Sequence, residues 1–255
     1  MLRNSMLRKR ILITGASSGL GAEMARQFAA TGHDLALCAR RLDRLEELRA
    51  SVVATHPGVR VLVRELDVND HDAVFAVFDS AADELGGLDR VIVNAGLGKG
   101  ARIGTGRFDA NRATAMTNFV AALAQCEAAM AHFRAVKAGH LVVISSMSAM
   151  RGLPRTLTTY AASKAGIAAL AEGIRADVQG SPIKVTTIFP GYIRSEMNDQ
   201  VSGTSPLMVD TDKGVRSIVR AIEREPARAS VPPWPWVPRG FVLRHAPLGL
   251  VRRLS

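Results

Sequence analysis

Tyr160 and Lys164 stand four residues apart in the stretch Tyr-Ala-Ala-Ser-Lys. In a helix this spacing places both side chains on one face, one above the other. A phenol has a pKa of about 10, so by itself it exchanges protons poorly at neutral pH. A neighbouring ammonium group favours the phenolate and lowers that pKa. The pair therefore predicts a proton-transfer device for making or breaking an alcohol, although the same spacing also occurs on ordinary solvated helix surfaces.

A glycine-rich stretch near the N-terminus could hold the hydride source that such a device needs. The apolar run 11–13 is followed by Thr-Gly-Ala-Ser-Ser-Gly-Leu-Gly at 14–21 and then by a helical pattern. Glycines let the backbone turn tightly and approach a pyrophosphate, and the N-terminus of the helix supplies N–H donors. The spacing differs from the Gly-x-Gly-x-x-Gly of most dinucleotide folds, but its place between a strand and a helix indicates a dinucleotide site.

The second predicted strand, 34–39, ends without a carboxylate. In a βαβ dinucleotide unit an acidic residue at this point binds the ribose 2′-hydroxyl, whereas an arginine accommodates a 2′-phosphate. Here the strand leads into Arg40 and Arg41. The pattern favours NADP over NAD, and the alternative is that both arginines are solvated at a helix start.

Strands and helices alternate at short intervals along the chain. Predicted strands lie at 10–13, 34–39, 59–66, 88–93, 141–144 and 183–189, and predicted helices at 22–30, 42–54, 71–85, 111–136, 160–178 and 213–224. This alternation predicts an α/β fold with a doubly wound parallel sheet and helices on both faces. Ligands then bind at the carboxyl ends of the strands, where Gly15, Arg40, Asp67 and Asn94 would meet. The poorly periodic segment 195–212 is expected to be a flap over the ligand.

Composition narrows the classes of protein. Of the 255 residues, 47% are hydrophobic, and the formal net charge is +10. No stretch has the length of a membrane span, and no Cys or His cluster has metal-ligand spacing. Cys38 and Cys126 fall in apolar segments, as expected for a cytoplasmic protein with reduced thiols. Nucleic-acid binding is disfavoured because no basic stripe is interleaved with aromatic residues.

A basic, apolar C-terminal tail is expected over 231–255, after a single domain over 1–230. From Pro226 onward the chain has no acidic residue and five arginines. One interpretation is a weak peripheral contact with anionic lipid. The favoured alternative is a tail packed on its own body or on a partner subunit, because Pro247 and Gly249 interrupt the run.

Taken in chain order, the motifs resemble those of the short-chain dehydrogenase/reductase family. The motifs are Thr-Gly-Ala-Ser-Ser-Gly-Leu-Gly at 14–21, Asp67-Val68, Asn94-Ala95-Gly96, Asn118, Ser145-Ser146, Tyr160-x-x-x-Lys164 and Pro190-Gly191. The resemblance covers 8–225 and implies a Rossmann-type fold with about seven strands and a nicotinamide cofactor. It also implies a homodimer or homotetramer that packs through helices 111–136 and 160–178.

The resemblance assigns roles to the matching residues. Tyr160 would be the acid/base, and Lys164 would lower its pKa and bind the nicotinamide ribose. Ser146 would steady the substrate oxygen, and Asn118 would hold a water molecule. Cofactor contacts would come from Gly15, Ser17, Ser18, Gly19, Leu20, Gly21, Arg40, Arg41, Asp67, Val68, Asn94, Ala95, Gly96, Tyr160, Lys164, Pro190, Gly191 and Ile193. The family's usual serine position falls on Met147, so Ser146, which directly continues the strand, is preferred and Ser148 is the alternative.

The expected activity is an NADP(H)-dependent hydride transfer between nicotinamide and a carbonyl or alcohol. The alternative class is a non-catalytic dinucleotide sensor or a membrane-recruited scaffold. An apolar substrate that is lipid-like, steroid-like or oxoacyl is suggested by Met147, Met150, Leu153, Leu157 and Met197. The alternative is that these side chains only pack the flap over 195–212.

Overall fold

Seven parallel strands form one sheet in the computed structural model, which describes residues 8–98, 100–196 and 207–254. In chain order the strands are β1 (Arg10–Thr14), β2 (Asp34–Ala39), β3 (Val61–Glu65), β4 (Arg90–Val93), β5 (Gly139–Ile144), β6 (Ile183–Pro190) and β7 (Arg228–Val231). Their spatial order is β3-β2-β1-β4-β5-β6-β7. The order reverses between β1 and β4, and open α/β sheets bind ligands at this switch point. The predicted fold class is confirmed.

Helices cover both faces of the sheet. They are α1 (Gly19–Ala29), α2 (Leu42–Thr55), α3 (His71–Leu85), α4 (Phe108–Ala115), α5 (Ala121–Val136), α6 (Thr158–Asp177), α7 (Thr211–Glu223), α8 (Pro233–His245) and α9 (Leu248–Leu254). One face packs against α1, α2 and α7, and the other against α3, α5 and α6. Because both faces are covered, the central strands are continuously apolar; β2, for example, is buried at all six positions.

The long helix predicted over 111–136 is interrupted in the structure. It consists of α4, a π-helical turn at Met116–Val120, and α5. In such a turn the backbone hydrogen bonds join residues five apart instead of four, and π-helical turns frequently occur at functional sites. Asn118 lies in this turn and is buried.

The seventh strand was not located by the sequence pattern. β7 has four residues with no regular alternation of burial, and pairing with β6 defines it.

The sequence also predicted a flap over 195–212. Of that segment, residues 197–206 lie outside the described part of the chain. Helix α7 begins at Thr211, inside the segment that was expected to be irregular.

The C-terminal segment packs on the body of the molecule, in agreement with the favoured alternative. Trp236 is buried against Met147 and Phe189. Val251 is buried in a second cluster that includes Leu153. Within the described ranges, no helix combines the length and the apolarity needed to cross a membrane.

Candidate active site

A cleft of about 680 Å³ opens at the carboxyl ends of the strands. It has the size of a small-molecule or cofactor site. The predicted site residues that line it are Gly15, Ser17, Ser18, Gly19, Leu20, Arg40, Arg41, Asp67, Val68, Asn94, Ala95, Gly96, Ser146, Tyr160, Lys164, Pro190, Gly191 and Ile193. The other two predicted residues, Gly21 and Asn118, stand behind the lining. The structure therefore brings together segments that are far apart in the chain.

The glycine turn is pressed against the end of β4. Gly15 has a φ of +65°, and a Cβ atom there would lie 2.8 Å from the Cα of Ala95. A side chain at Gly21 would overlap the carbonyl oxygen of Gly15. Asn94 Nδ2 donates hydrogen bonds to the carbonyl oxygens of Thr14 at 2.9 Å and of Gly15 at 3.3 Å. Glycine is therefore required at these positions for close backbone approach, as in a pyrophosphate cradle.

Tyr160 meets the end of β5 across the cleft. The Ser146 side chain faces the Tyr160 hydroxyl and acts on the phenol in the direction that lowers its pKa. The Ser146 Oγ also accepts a hydrogen bond from the backbone N–H of Ser148 at 3.1 Å, so a local turn orients the side chain. Ser148 lines the cleft as well. Ser146, and not Ser148, acts on the phenol of Tyr160, which favours Ser146.

The sequence predicted that Lys164 lowers the pKa of Tyr160, and this prediction is wrong for the protein without bound ligand. The pKa of Tyr160 is raised. Burial of the hydroxyl is the main cause, and the hydrogen bond from Ser146 acts in the opposite direction. Tyr160 lies at the wall of the cleft with part of its surface still accessible. The loss of hydration at the phenol oxygen outweighs the effect of Ser146, and Tyr192 adds to the increase in the pKa.

Lys164 is buried, and its hydrogen bonds tie α6 to β5. Its Nζ donates to the carbonyl oxygen of Ile144 at 2.9 Å. In the reverse direction, Ser145 Oγ donates to the carbonyl oxygen of Lys164 at 2.7 Å. Burial lowers the pKa of Lys164 to about 8. The ammonium form is thereby brought near the point of titration at neutral to mildly basic pH.

Asn118 holds the segment that follows β4. Its Oδ1 accepts from the backbone N–H of Leu97 at 2.7 Å, and its Nδ2 donates to the Leu97 carbonyl at 2.8 Å. A Cβ atom on Gly96 would lie 3.0 Å from Asn118 Oδ1 and 3.4 Å from Lys164 Nζ. Asn118, which lies in the π-helical turn, and Lys164 therefore flank Gly96.

Arg41 occupies the opposite end of the cleft. Its guanidinium donates to Ser17 Oγ at 3.2 Å and to Ser18 Oγ at 2.7 Å. It also forms an ion pair with Glu196 at 3.2 Å. Arg40 is exposed beside it. The end of β2 thus presents cations to the glycine turn.

Three residues that line the cleft were not singled out by the sequence, namely Tyr192, Glu196 and Arg239. Tyr192 follows the Pro190-Gly191 motif, so adjacency could have indicated it. Glu196 and Arg239 carry no such local signal.

The chain belongs to the short-chain dehydrogenase/reductase family. The family model described as short chain dehydrogenase matches residues 9–205. An uncharacterized oxidoreductase of Mycobacterium tuberculosis is 55% identical over 97% of this chain and 98% of its own. An uncharacterized oxidoreductase of Myxococcus xanthus is 35% identical over 87% of this chain and 86% of its own. The protein is accordingly an oxidoreductase of this family that acts on CH–OH or C=O groups.

Solved structures agree with the fold. A short chain dehydrogenase from Burkholderia cenocepacia in complex with NADP is 26% identical, with a TM-score of 0.77 over 88% of this chain and 97% of that one. A short chain dehydrogenase/reductase from Burkholderia phymatum in complex with NAD is 19% identical, with a TM-score of 0.83 over 96% of this chain and 95% of that one. The family binds a nicotinamide dinucleotide. The two solved structures differ in which one they hold.

The stability of the protein should report the buried Lys164 ammonium. Its pKa falls from 10.5 to about 8, which disfavours folding by about 3 kcal/mol while both states are protonated. That penalty is complete below pH 8, declines as pH rises from 8 to 10.5, and vanishes above it. A Lys164→Met variant lacks this penalty at every pH. The difference in the free energy of unfolding, variant minus wild type, should therefore fall by up to about 3 kcal/mol between pH 7 and pH 10.5. Urea unfolding at several pH values measures the change. Lys213→Met, at an exposed position, is the control, and a difference constant with pH would contradict the buried charge.

Proposed function

We propose that this protein is an NADP(H)-dependent oxidoreductase that interconverts a carbonyl compound and an alcohol. The observation that carries the proposal is that the hydroxyls of Ser146 and Tyr160 line the same cleft as buried Lys164. The glycine turn fits the cofactor, because the lack of a Cβ atom at Gly15 and Gly21 lets the turn pack tightly on itself and on the end of β4. The backbone of Gly15 and Gly19 thereby lines the cleft where a pyrophosphate would lie. A bound nicotinamide dinucleotide supplies or accepts the hydride.

The residues that would hold the cofactor follow the cleft from end to end. The turn 14–21 would cradle the pyrophosphate, Asp67 and Val68 would meet the adenine, and Asn94 with Ala95 and Gly96 would lie beneath. At the other end Lys164 would bind the ribose, and Pro190, Gly191 and Ile193 would lie beside the nicotinamide.

Tyr160 and Ser146 perform the proton transfer in this proposal. A raised pKa keeps the Tyr160 phenol protonated, so it can donate to the oxygen of a carbonyl as negative charge develops there. The hydroxyl of Ser146 offers a second hydrogen bond to the same oxygen. Lys164 places a positive charge under the reacting groups below its pKa of about 8. For alcohol oxidation the same residues act in reverse.

Loss of the phenol should abolish most of the activity. Tyr160→Phe is expected to lower kcat/KM by about 10² to 10⁴, because the general acid is removed. Ser146→Ala should cost about 10², whereas Ser148→Ala should cost less than Ser146→Ala. The measurement is NADPH oxidation with a panel of ketones and aldehydes, and retained NADPH binding by Tyr160→Phe is the control. Turnover by Tyr160→Phe at the wild-type rate would refute the assignment.

The preference for NADP is supported by Arg40 and Arg41. No carboxylate ends β2, and Arg41 is already oriented toward the turn by Ser17 and Ser18. Glu196 forms an ion pair with Arg41, and a 2′-phosphate would compete for the same guanidinium. This arrangement is expected to discriminate against NAD.

Arg41→Ala should weaken NADPH binding about 10- to 100-fold and change NADH binding much less, because a charge-assisted contact is lost. Fluorescence titration with each cofactor gives the ratio. Arg44→Ala is the matched control, since Arg44 pairs with Glu196 at 3.8 Å but does not line the cleft. Tighter binding of NADH than NADPH by the wild type would overturn the preference, and an equal loss for both cofactors would assign Arg41 a purely structural role.

The apolar part of the proposed substrate is supported by some of the side chains named from the sequence. Leu157 lines the main cleft, and Leu153 lines a small branch of it. Met147 is buried against Trp236 and shapes that branch. Met197 lies outside the described residues.

A homodimer or homotetramer is proposed, as is common in the family. Helix α4 and the π-helical turn pack beside α6 and leave Phe108 and Met116 exposed. Apolar side chains on neighbouring helices are suited to a contact with a second copy.

A weak peripheral contact with anionic lipid is proposed for the outer side of the C-terminal segment. The tail 231–255 and the domain expected over 1–230 would act as one packed unit. Trp234 is 78% exposed and Phe241 is 68% exposed, in a stretch that contains arginines and no acid. Exposed aromatics beside cations suit a headgroup region.

A Trp234→Ser/Phe241→Ser variant should bind phosphatidylserine vesicles at least about tenfold more weakly, because less apolar surface can be buried in the membrane. Co-sedimentation with the vesicles measures the affinity. Ile103→Ser, which removes a side chain 62% exposed outside the tail, is the control. Equal sedimentation of the tail variant and the wild type would dispose of the contact.

A further inference from the structure

Helix α8 brings an arginine from the C-terminal segment into the cleft. Its buried residues are Trp236, Gly240 and Leu243, which share one side of the helix. Arg239 lies one turn beyond Trp236 on that side and lines the cleft. Trp236 is fixed by an edge-to-face contact with Tyr192 at 5.1 Å between ring centroids. Arg239 is therefore held in place by a packed core and not by a loose tail.

The position of Arg239 is at the Ser146 end of the cleft. A side branch of about 40 Å³ is bounded by Arg239 together with Ser146, Ser148 and Tyr192. Apolar side chains, among them Leu157, complete its wall. The branch contains no residue of the glycine turn and none from the ends of β2 or β3. Arg239 thus stands on the side where a substrate would meet Tyr160, away from Arg41 and the proposed adenosine end.

The charge of Arg239 is not neutralised by a carboxylate of the described residues. Its guanidinium carbon lies 5.6 Å from the centroid of the Trp236 ring, a cation–π contact. Stacking fixes the plane of a guanidinium and leaves the N–H donors on its edge able to bind. Arg41 differs, because Glu196 pairs with it. A half-buried, oriented arginine in a cleft is suited to a negatively charged oxygen group.

We infer that Arg239 binds a carboxylate or phosphate of the substrate, so that the preferred substrate is an acidic carbonyl or alcohol compound. Its carbonyl would face Ser146 and Tyr160, its apolar portion would lie along Leu157, and its charged end would bind Arg239. The position of the carbonyl rests on the proposed function. The anion site rests on the placement of Arg239 alone.

Binding of an anion at Arg239 can be measured in the absence of turnover. The chain has two tryptophans, so a Trp234→Phe background leaves Trp236, beside Arg239, as the single tryptophan, whose emission is read with selective excitation. Hexanoate, hexyl phosphate and hexanol are titrated against this protein. We expect one or both anions to bind about 10- to 100-fold more tightly than hexanol, and the stronger of the two identifies the group. Arg239→Gln should remove the difference and Arg239→Lys should retain part of it. Arg244→Gln, an exposed arginine on the same helix, should leave it unchanged.

Turnover gives a second, independent measurement. An aliphatic oxo acid should be reduced with a kcat/KM at least about tenfold above that of its methyl ester, and Arg239→Gln should bring this ratio close to one. Tyr160→Phe should abolish reduction of both compounds and leave hexanoate binding intact, which separates the anion site from the proposed chemistry. Anion binding or an acid-to-ester ratio that is the same in Arg239→Gln as in the wild type would overturn the inference.

Discussion

Two buried hydrogen bonds between β5 and α6 set the geometry on which the site depends. Ser145 donates to the backbone of Lys164, and Lys164 donates to the backbone of Ile144. Each bond satisfies a group that would otherwise be costly to bury, so the helix cannot shift along the strand without losing both. This clamp places Tyr160 opposite Ser146. The reactive pair is therefore a consequence of how a helix is fastened to a strand.

Charged and polar side chains are arranged differently at the amino ends and at the carboxyl ends of the strands. At the amino ends of the strands, ion pairs close the structure, as between Arg10 and Asp89 and between buried Arg90 and Glu223. At the carboxyl ends the chain leaves a cleft whose lining combines glycines and hydroxyls with the charged side chains of Arg41, Lys164 and Arg239. Charges that pair with one another across a packed surface stabilise the fold, whereas polar groups around an open space are available to bind a ligand.

The C-terminal segment completes the cleft at the end where the sequence motifs stop. Gly191 leaves room for the indole of Trp236, which a Cβ atom there would overlap. Trp236 in turn anchors α8, and α8 delivers Arg239. The family model ends at residue 205, before this segment begins. Features that set the substrate apart from those of relatives are accordingly expected in the part of the chain that lies beyond the shared motifs.

The sequence by itself determined the order of strands and helices, the glycine turn and the Tyr160–Lys164 pair, because these depend on local spacing and on periodicity of burial. It could not locate β7, whose four residues become a strand only by pairing with β6, nor the π-helical turn around Asn118. It predicted a lowered pKa for Tyr160 from the nearby ammonium, but the tertiary structure buries the phenol, and burial raises that pKa. The ion pair of Arg41 with Glu196 and the entry of Arg239 into the cleft join residues distant in the chain. Such contacts depend on packing, which no local pattern of residue types encodes.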